Sequence, residues 1–104
     1  MDYKINLASF EDAWELQRVV AIAAKNEGFK VSDFTAPDKL DKMINIALAV
    51  NSDKAVYNAL WACLGRCLYN GEKITKETFE DLEARKQFLV IAFKCIEANL
   101  EPFT

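Results

Sequence analysis

A chain of 104 residues, 52 % of them hydrophobic, builds one domain with a real core and is too short for two ordinary ones. Its 13 basic and 16 acidic residues give a mild net charge of −3 and are interspersed without a Lys/Arg run, which excludes the clustered cations that grip a phosphate backbone. No apolar stretch approaches the roughly 20 residues that a bilayer span needs, and the opening MDYKINLASFED lacks the basic-then-apolar pattern of a secretory leader. We therefore expect a cytosolic protein with neither nucleic acid nor membrane as partner, whose three cysteines are free thiols.

Tyr3-Lys4-Ile5-Asn6-Leu7 alternates apolar and polar, the pattern of a short strand. Nothing else in the chain reads as a strand. With no ladder partner in view, residues 1–8 are expected to form an extended arm or edge element, available for pairing with another chain. Ser9 and Asp12 then signal a helix start, and the good helix formers of 10–27 run on to Gly28, a stop. At about 100° per residue, Phe10, Ala13, Trp14, Ala21 and Ala24 share one face, flanked by Leu16 and Val20. Glu11, Glu15, Arg18 and Lys25 share the other. Val19 and Ile22 fall among these polar residues and are expected at the surface.

A connector over 29–36 carries Val31 and Phe34. Thr35 caps a second helix with Pro37 in its first turn, running to about Asn51 with Leu40, Met43, Ile44, Ala47 and Val50 inward. Ser52-Asp53 opens a third helix that ends near Asn70-Gly71, a turn or helix-stop signal. Thr75, with Thr78 as a competing start, opens a fourth helical region that no Gly or Pro interrupts before Pro102. A break around 83–86 has no sequence signal. The fold class that follows is all-α: a single domain over 1–104 with four principal helices and short loops.

Cys63 and Cys67, four residues apart on the third helix, fall in one stripe with Val56, Leu60 and Leu64. Free cysteine packs as a small hydrophobe, and core packing is the reading we adopt. A zinc site needs four Cys, His or carboxylate ligands; the chain has no histidine, and Cys95 stands alone on the last helix. The C-x-x-x-C spacing, late in its helix, is also not the C-x-x-C of a redox pair. Most of this helix's circumference is apolar, with Trp61 off the main stripe. Such a helix is either central or covered by another subunit, and a domain of this size encloses few helices. That favours self-association or a partner.

An active site finds little support. Histidine, the usual base near neutral pH, is absent. Glu77, Glu80, Asp81 and Glu83 alternate with Lys73, Lys76, Arg85 and Lys86, as on a solvated helix face. No glycine-rich phosphate loop and no calcium-spaced loop occurs. We expect no catalytic, cofactor-binding or metal-binding residue. Phe79, Phe88, Phe93, Trp14 and Trp61 are expected mostly in the core, with a few as binding anchors.

The stretch WACLGRCLYNGEKITKETFEDLEARKQF and the ending IEANLEPF resemble the tail assembly chaperones of long-tailed bacteriophages of Gram-positive hosts (siphophages). In that family a Trp-x-Cys-x-x-Arg helix leads into a Gly-x-x-Ile-Thr turn, then a Thr-Phe-Glu element, an acidic-to-Arg segment and a closing Asn-Leu-x-Pro-Phe. Here these are Trp61, Cys63, Arg66, Gly71, Ile74, Thr75, Thr78, Phe79, Glu80, Glu83, Arg85, Asn99, Leu100, Pro102 and Phe103. The likeness covers the chain from Trp61 onward; the N-terminal half matches in general character alone.

The resemblance implies a non-enzymatic role without cofactors. Such a chaperone binds the tape-measure protein, keeps its helices soluble in the host cytoplasm, and is absent from the mature virion. It implies a homo-oligomer, a ring or a spiral. Under it Arg66 either caps carbonyls near Asn70 or pairs with Glu80 or Glu83, and Phe103, after Pro102, anchors into a neighbouring subunit. Val19, Ile22, Trp61, Arg66 and Phe103 are thus the expected partner or oligomer contacts. The rival reading is a small helical adaptor or regulator docking on a host or phage protein.

Overall fold

A computed structural model describes residues 2–27 and 53–103. The predicted second helix over 37–51 and the connector before it lie outside the described residues. Helix α1 spans Phe10–Glu27, the predicted bounds. Its start is fixed by Ser9, whose carbonyl accepts from the Ala13 amide at 2.9 Å and whose Oγ accepts from the Asp12 amide at 3.3 Å. Glu11 and Asp12 meet the positive end of the dipole.

The face that α1 buries overlaps the predicted one only in Ala13 and the flanking Leu16 and Val20. Ala13, Leu16, Val19, Val20 and Ala23 are buried, whereas Phe10 is 67 % and Trp14 47 % exposed. The core stripe is turned from the expected one toward the side of Leu16 and Val20. The aromatics occupy the first two turns alone, while the aliphatic stripe runs the length of the helix and can be packed throughout. Val19, expected at the surface, is 3 % exposed and belongs to the core.

Helix α2, Lys54–Leu64, is capped by Asp53, whose carboxylate accepts from the amides of Ala55 (2.9 Å) and Val56 (3.4 Å). Val56, Ala59, Leu60, Cys63 and Leu64 are buried, the stripe read from the sequence. The helix stops six residues earlier than the Asn70-Gly71 signal suggested, because that dipeptide turns a hairpin. Asn70 (φ 50°) and Gly71 (φ 86°) both take left-handed backbone, as a two-residue hairpin loop requires. The flanking strands are β2, Leu68–Tyr69, and β3, Glu72–Lys73, paired antiparallel with Tyr69 opposite Glu72.

The N-terminal arm finds its ladder partner within the chain. Strand β1, Tyr3–Lys4, pairs antiparallel with β2, Tyr3 opposite Tyr69 and Lys4 opposite Leu68. The sheet order is β1-β2-β3. The fold is mostly helical with a small antiparallel sheet, not purely helical as expected. The missing signal, for β2 and β3, is length: each is two residues, too short to show alternation.

The predicted fourth helical region is divided in three. A 3₁₀ turn spans Lys76–Glu80, where the Thr75 amide donates to Thr78 Oγ1 at 2.9 Å, so both candidate starts serve one cap. Helix α3 is Leu82–Lys86, capped by Asp81, whose carboxylate accepts from the Ala84 amide at 3.0 Å. Helix α4, Phe88–Leu100, follows a break at Gln87 and ends in a 3₁₀ turn, Glu101–Phe103. Arg85 Nε donates to the Phe79 carbonyl at 2.9 Å, which holds the 3₁₀ turn against α3 and keeps Phe79 in the core.

Helix α1 packs on α2 and α4, and α2 packs on α4. Leu16, Val20, Leu60, Leu64, Ile91, Ile96 and Leu100 fill the space between them and are wholly inaccessible or nearly so. Burial on this scale supplies the main drive to fold, about 2 kcal/mol for each such side chain.

Candidate interaction surface

The arm that crosses the end of α2 and the end of α4 sets up an open apolar surface. It is fastened residue by residue. The Asp2 amide donates to Asn70 Oδ1 at 3.1 Å, and the Asn70 amide donates back to the Asp2 carbonyl at 2.7 Å. Asn6 Nδ2 donates to the Arg66 carbonyl at 3.0 Å. The Ala8 amide donates to Oδ1 of buried Asn99 at 2.9 Å, and Asn99 Nδ2 donates to the Cys95 carbonyl at 2.8 Å. Tyr3, Ile5 and Ala8 pack against the core; Leu7, which continued alternation would place with Tyr3 and Ile5, lies beyond β1 and is 61 % exposed.

Beside this seam, Phe10 and Trp14 sit one turn apart on α1 with their rings stacked, 6.3 Å between centroids and 8° between planes. Phe103, carried by the turn after α4, meets both edge-on, at 6.1 Å from Phe10 and 5.4 Å from Trp14. Leu7, Ala8, Phe10, Ala13, Asn99, Pro102 and Phe103 enclose a cavity of about 190 Å³ open to solvent. Large apolar side chains left exposed and contiguous mark a binding surface more often than a bare one. A second exposed group, Leu82, Leu89 and Val90, lies at the other end of α4. From Val90 to Phe103 the rise along the helix axis is about 20 Å, so the two surfaces are separate.

Of the expected contact residues, Phe103 lies in the groove, packed by its own chain. Ile22 is 47 % exposed, as expected, two turns along α1 from Trp14. Val19 is in the core. Trp61 is half-buried in a different aromatic group, 6.3 Å from Tyr57, 6.0 Å from Phe79 and 6.1 Å from Phe88. Its indole N–H is buried without a hydrogen-bond partner. The Lys76 ammonium stands over the Tyr57 and Trp61 rings at 5.4 and 5.7 Å. Arg66 makes neither of the expected pairs: its Nη2 meets Asp12 Oδ2 of α1 at 3.3 Å, Glu80 pairs with Arg85 at 3.5 Å, and Glu83 with Lys86 at 3.3 Å. Once α2 stops at Leu64, the chain carries Arg66 toward the start of α1.

Sequence reasoning missed Leu7, Phe10, Trp14 and Pro102 as groove residues. The available signal was the Phe10/Trp14 spacing at the very start of a helix whose aliphatic stripe already supplied a core face.

The thiols sit behind this surface. Cys63, Cys67 and Cys95 are free and fully buried. Cys67 lies past the end of α2 yet keeps its place in the core, and Cys95 is not alone, for its thiol shares a hydrogen bond with that of Cys67. Cys63 Sγ donates to the Asp12 carbonyl at 3.6 Å, linking α2 to α1. Burial, then the nearby Asp12 charge, pushes the Cys63 thiol up to about 12. The hydrogen bond with Cys67, then burial, holds the Cys95 proton well above the ordinary thiol range. Raised thiols of this kind are inert packing groups at neutral pH. Among the described residues no group of three His, Cys, Asp or Glu side chains is placed to hold a metal ion, and no helix is long and apolar enough to cross a membrane.

No protein-family model, no curated protein and no solved structure matches this chain.

Proposed function

We propose that this chain is a tail assembly chaperone of a long-tailed phage. In the host cytoplasm it associates with its own copies in a ring or spiral and covers the apolar helices of the tape-measure protein. It leaves before the tail is complete and has no part in the mature virion. It works by binding, without cofactor or catalysis.

The observation that carries the reading is the exposed aromatic groove of Phe10, Trp14 and Phe103 on a helical frame. A groove of this kind accepts the apolar face of a helix. The separate surface of Leu82, Leu89 and Val90 leaves room for a second kind of contact, with copies of the chain. Many modest contacts along a repeated array hold a long client by avidity and still release it as the tube forms.

Co-expression with a tape-measure protein tests the reading. The wild-type chain is expected to keep the client in the soluble fraction and to co-purify with it. Trp14→Ala combined with Phe103→Ala is expected to lose the client while remaining folded. A client that stays insoluble beside abundant, folded wild-type chain overturns the proposal.

A further inference from the structure

The turn between β2 and β3 holds two residues that can react with each other. In an Asn-Gly pair the glycine nitrogen attacks the asparagine side-chain carbon, and asparagine is already among the thermally labile residues. Glycine favours the step because it has no Cβ to crowd the five-membered ring that forms. Asn70-Gly71 is the one such pair in the chain. Both residues are exposed, and nothing lies within 4 Å of the point where a Gly71 side chain would begin.

The closed hairpin keeps the reacting atoms apart. With φ of 50° and 86°, Asn70 and Gly71 fit the central positions of a type I′ turn, whose first residue has ψ near about +30°. At that ψ the Gly71 nitrogen and Asn70 Cβ lie nearly opposite each other across the Cα–C bond, whereas ring closure needs them eclipsed. Attack therefore waits on the turn opening.

The N-terminal arm holds the turn shut. The Asn70 amide donates to the Asp2 carbonyl at 2.7 Å, and the Asp2 amide donates to Asn70 Oδ1 at 3.1 Å. Backbone and side chain of Asn70 are thus both tied to the arm tip, and β1 pairs with the strand that leads into the turn. Asp2 is exposed, and solvent-exposed hydrogen bonds near a chain end are where local opening costs least.

We infer that Asn70 is a self-modification site controlled by the arm. When residues 2–4 lift away, the Gly71 nitrogen bonds to Asn70 Cγ and the Cγ–Nδ2 bond breaks. Nδ2 and the Gly71 amide proton depart as ammonia, leaving a succinimide. Water then opens either ring carbonyl–nitrogen bond and restores a proton to nitrogen, giving aspartate or isoaspartate. No oxidant or cofactor enters. Aspartate keeps an acceptor for the Asp2 amide. Isoaspartate routes the backbone through the side-chain carbon and lengthens the loop, so the two bonds with Asp2 do not both re-form. The arm tip then stays off the sheet while Ala8 remains tied to Asn99. The inference holds whatever the chain binds.

The test follows residue 70 by peptide mapping that resolves aspartate from isoaspartate, in the full chain kept warm at mildly alkaline pH. A synthetic peptide of residues 66–75 gives the unprotected rate. The wild type is expected to react about tenfold or more slowly than the peptide, because the rate scales with the fraction of time the turn is open. Two variants loosen the arm and leave the Asn70-Gly71 pair intact. Asp2→Pro removes the amide that holds Asn70 Oδ1, at an exposed position. Asn6→Ala removes the side chain that holds the Arg66 carbonyl. Both are expected to move the rate toward that of the peptide, with a sharp Trp61 indole signal reporting an intact fold. In the isoaspartate product the amide of residue 70 is expected to lose hydrogen-exchange protection while that of Ala8 keeps it. A wild type that reacts as fast as the peptide overturns the inference. So do folded variants as slow as the wild type, or a product whose residue 70 amide stays protected.

Discussion

The two tryptophans head aromatic clusters that look alike in sequence and behave differently in the fold. Trp61 stands with Tyr57, Phe79 and Phe88 where α2, the 3₁₀ turn and α4 meet, and Lys76 covers its outer side. Trp14 stands with Phe10 and Phe103 at the edge of the molecule, beside an open cavity. The difference lies in what the neighbouring elements supply. The Trp61 cluster is closed by three elements, α2, the 3₁₀ turn and α4, and Arg85 locks the turn in place through the Phe79 carbonyl. The Trp14 cluster has α1 on one side and a three-residue turn on the other, too little chain to cover three rings. Ring contacts alone do not make a core; cover does.

The largest effect should separate the clusters directly. Phe79→Ala removes a buried ring and is expected to cost about 3 kcal/mol in urea unfolding. Phe10→Ala, at a position 67 % exposed, is expected to cost less than about 1 kcal/mol. Equal losses would mean that the Trp14 cluster is core after all.

Next in size is Asn99, the floor of the groove and the fastening of the arm. Asn99→Ala leaves the Ala8 amide without its acceptor and opens a small void, at a cost of about 2 kcal/mol. Because Ala8 also lines the groove, the variant is expected to broaden the Ala8 and Phe103 amide signals while leaving the Trp61 indole sharp. A uniform response of both clusters would show that they are not separate units.

Cys63 joins the two regions from inside, one helix to the other, and makes the link sensitive to alkali. Its ordinary thiol value of 9.0 is raised to about 12 by burial and by Asp12. The folded state thus holds the proton more tightly than the unfolded one. The stability linked to it is complete below pH 9 and fades as pH rises from 9 toward 12. The melting temperature of the wild type should fall more steeply over that window than that of Cys63→Ala, which has no proton to lose there. Parallel slopes would place the alkaline sensitivity elsewhere.

Much of this was legible in the sequence, and the gaps have physical causes. The bounds of α1, the Asp53 cap and the buried stripe of α2 follow from periodicity and capping chemistry, which are local. The hairpin at Asn70-Gly71 was half legible: the dipeptide marks a turn, but strands of two residues give no pattern to choose hairpin over helix stop. The break at Gln87 carries no Gly or Pro. The rotation of α1 could not be read, because Phe10, Trp14 and the Leu16 stripe compete for the core and packing against α2 and α4 decides between them. The groove inherits that difficulty, since half of it is made of the face that lost. Phe103 was nameable because Pro102 ends the helix just before an aromatic; its partners were not.

The smallest effect tests the outer link between the regions. Arg66 meets Asp12 across the gap between α2 and α1, with both side chains more than a third exposed. Water and ions reach such a pair, so Arg66→Ala should cost about 0.5 kcal/mol at low salt and nothing measurable near 1 M salt, where the screening length is about 3 Å.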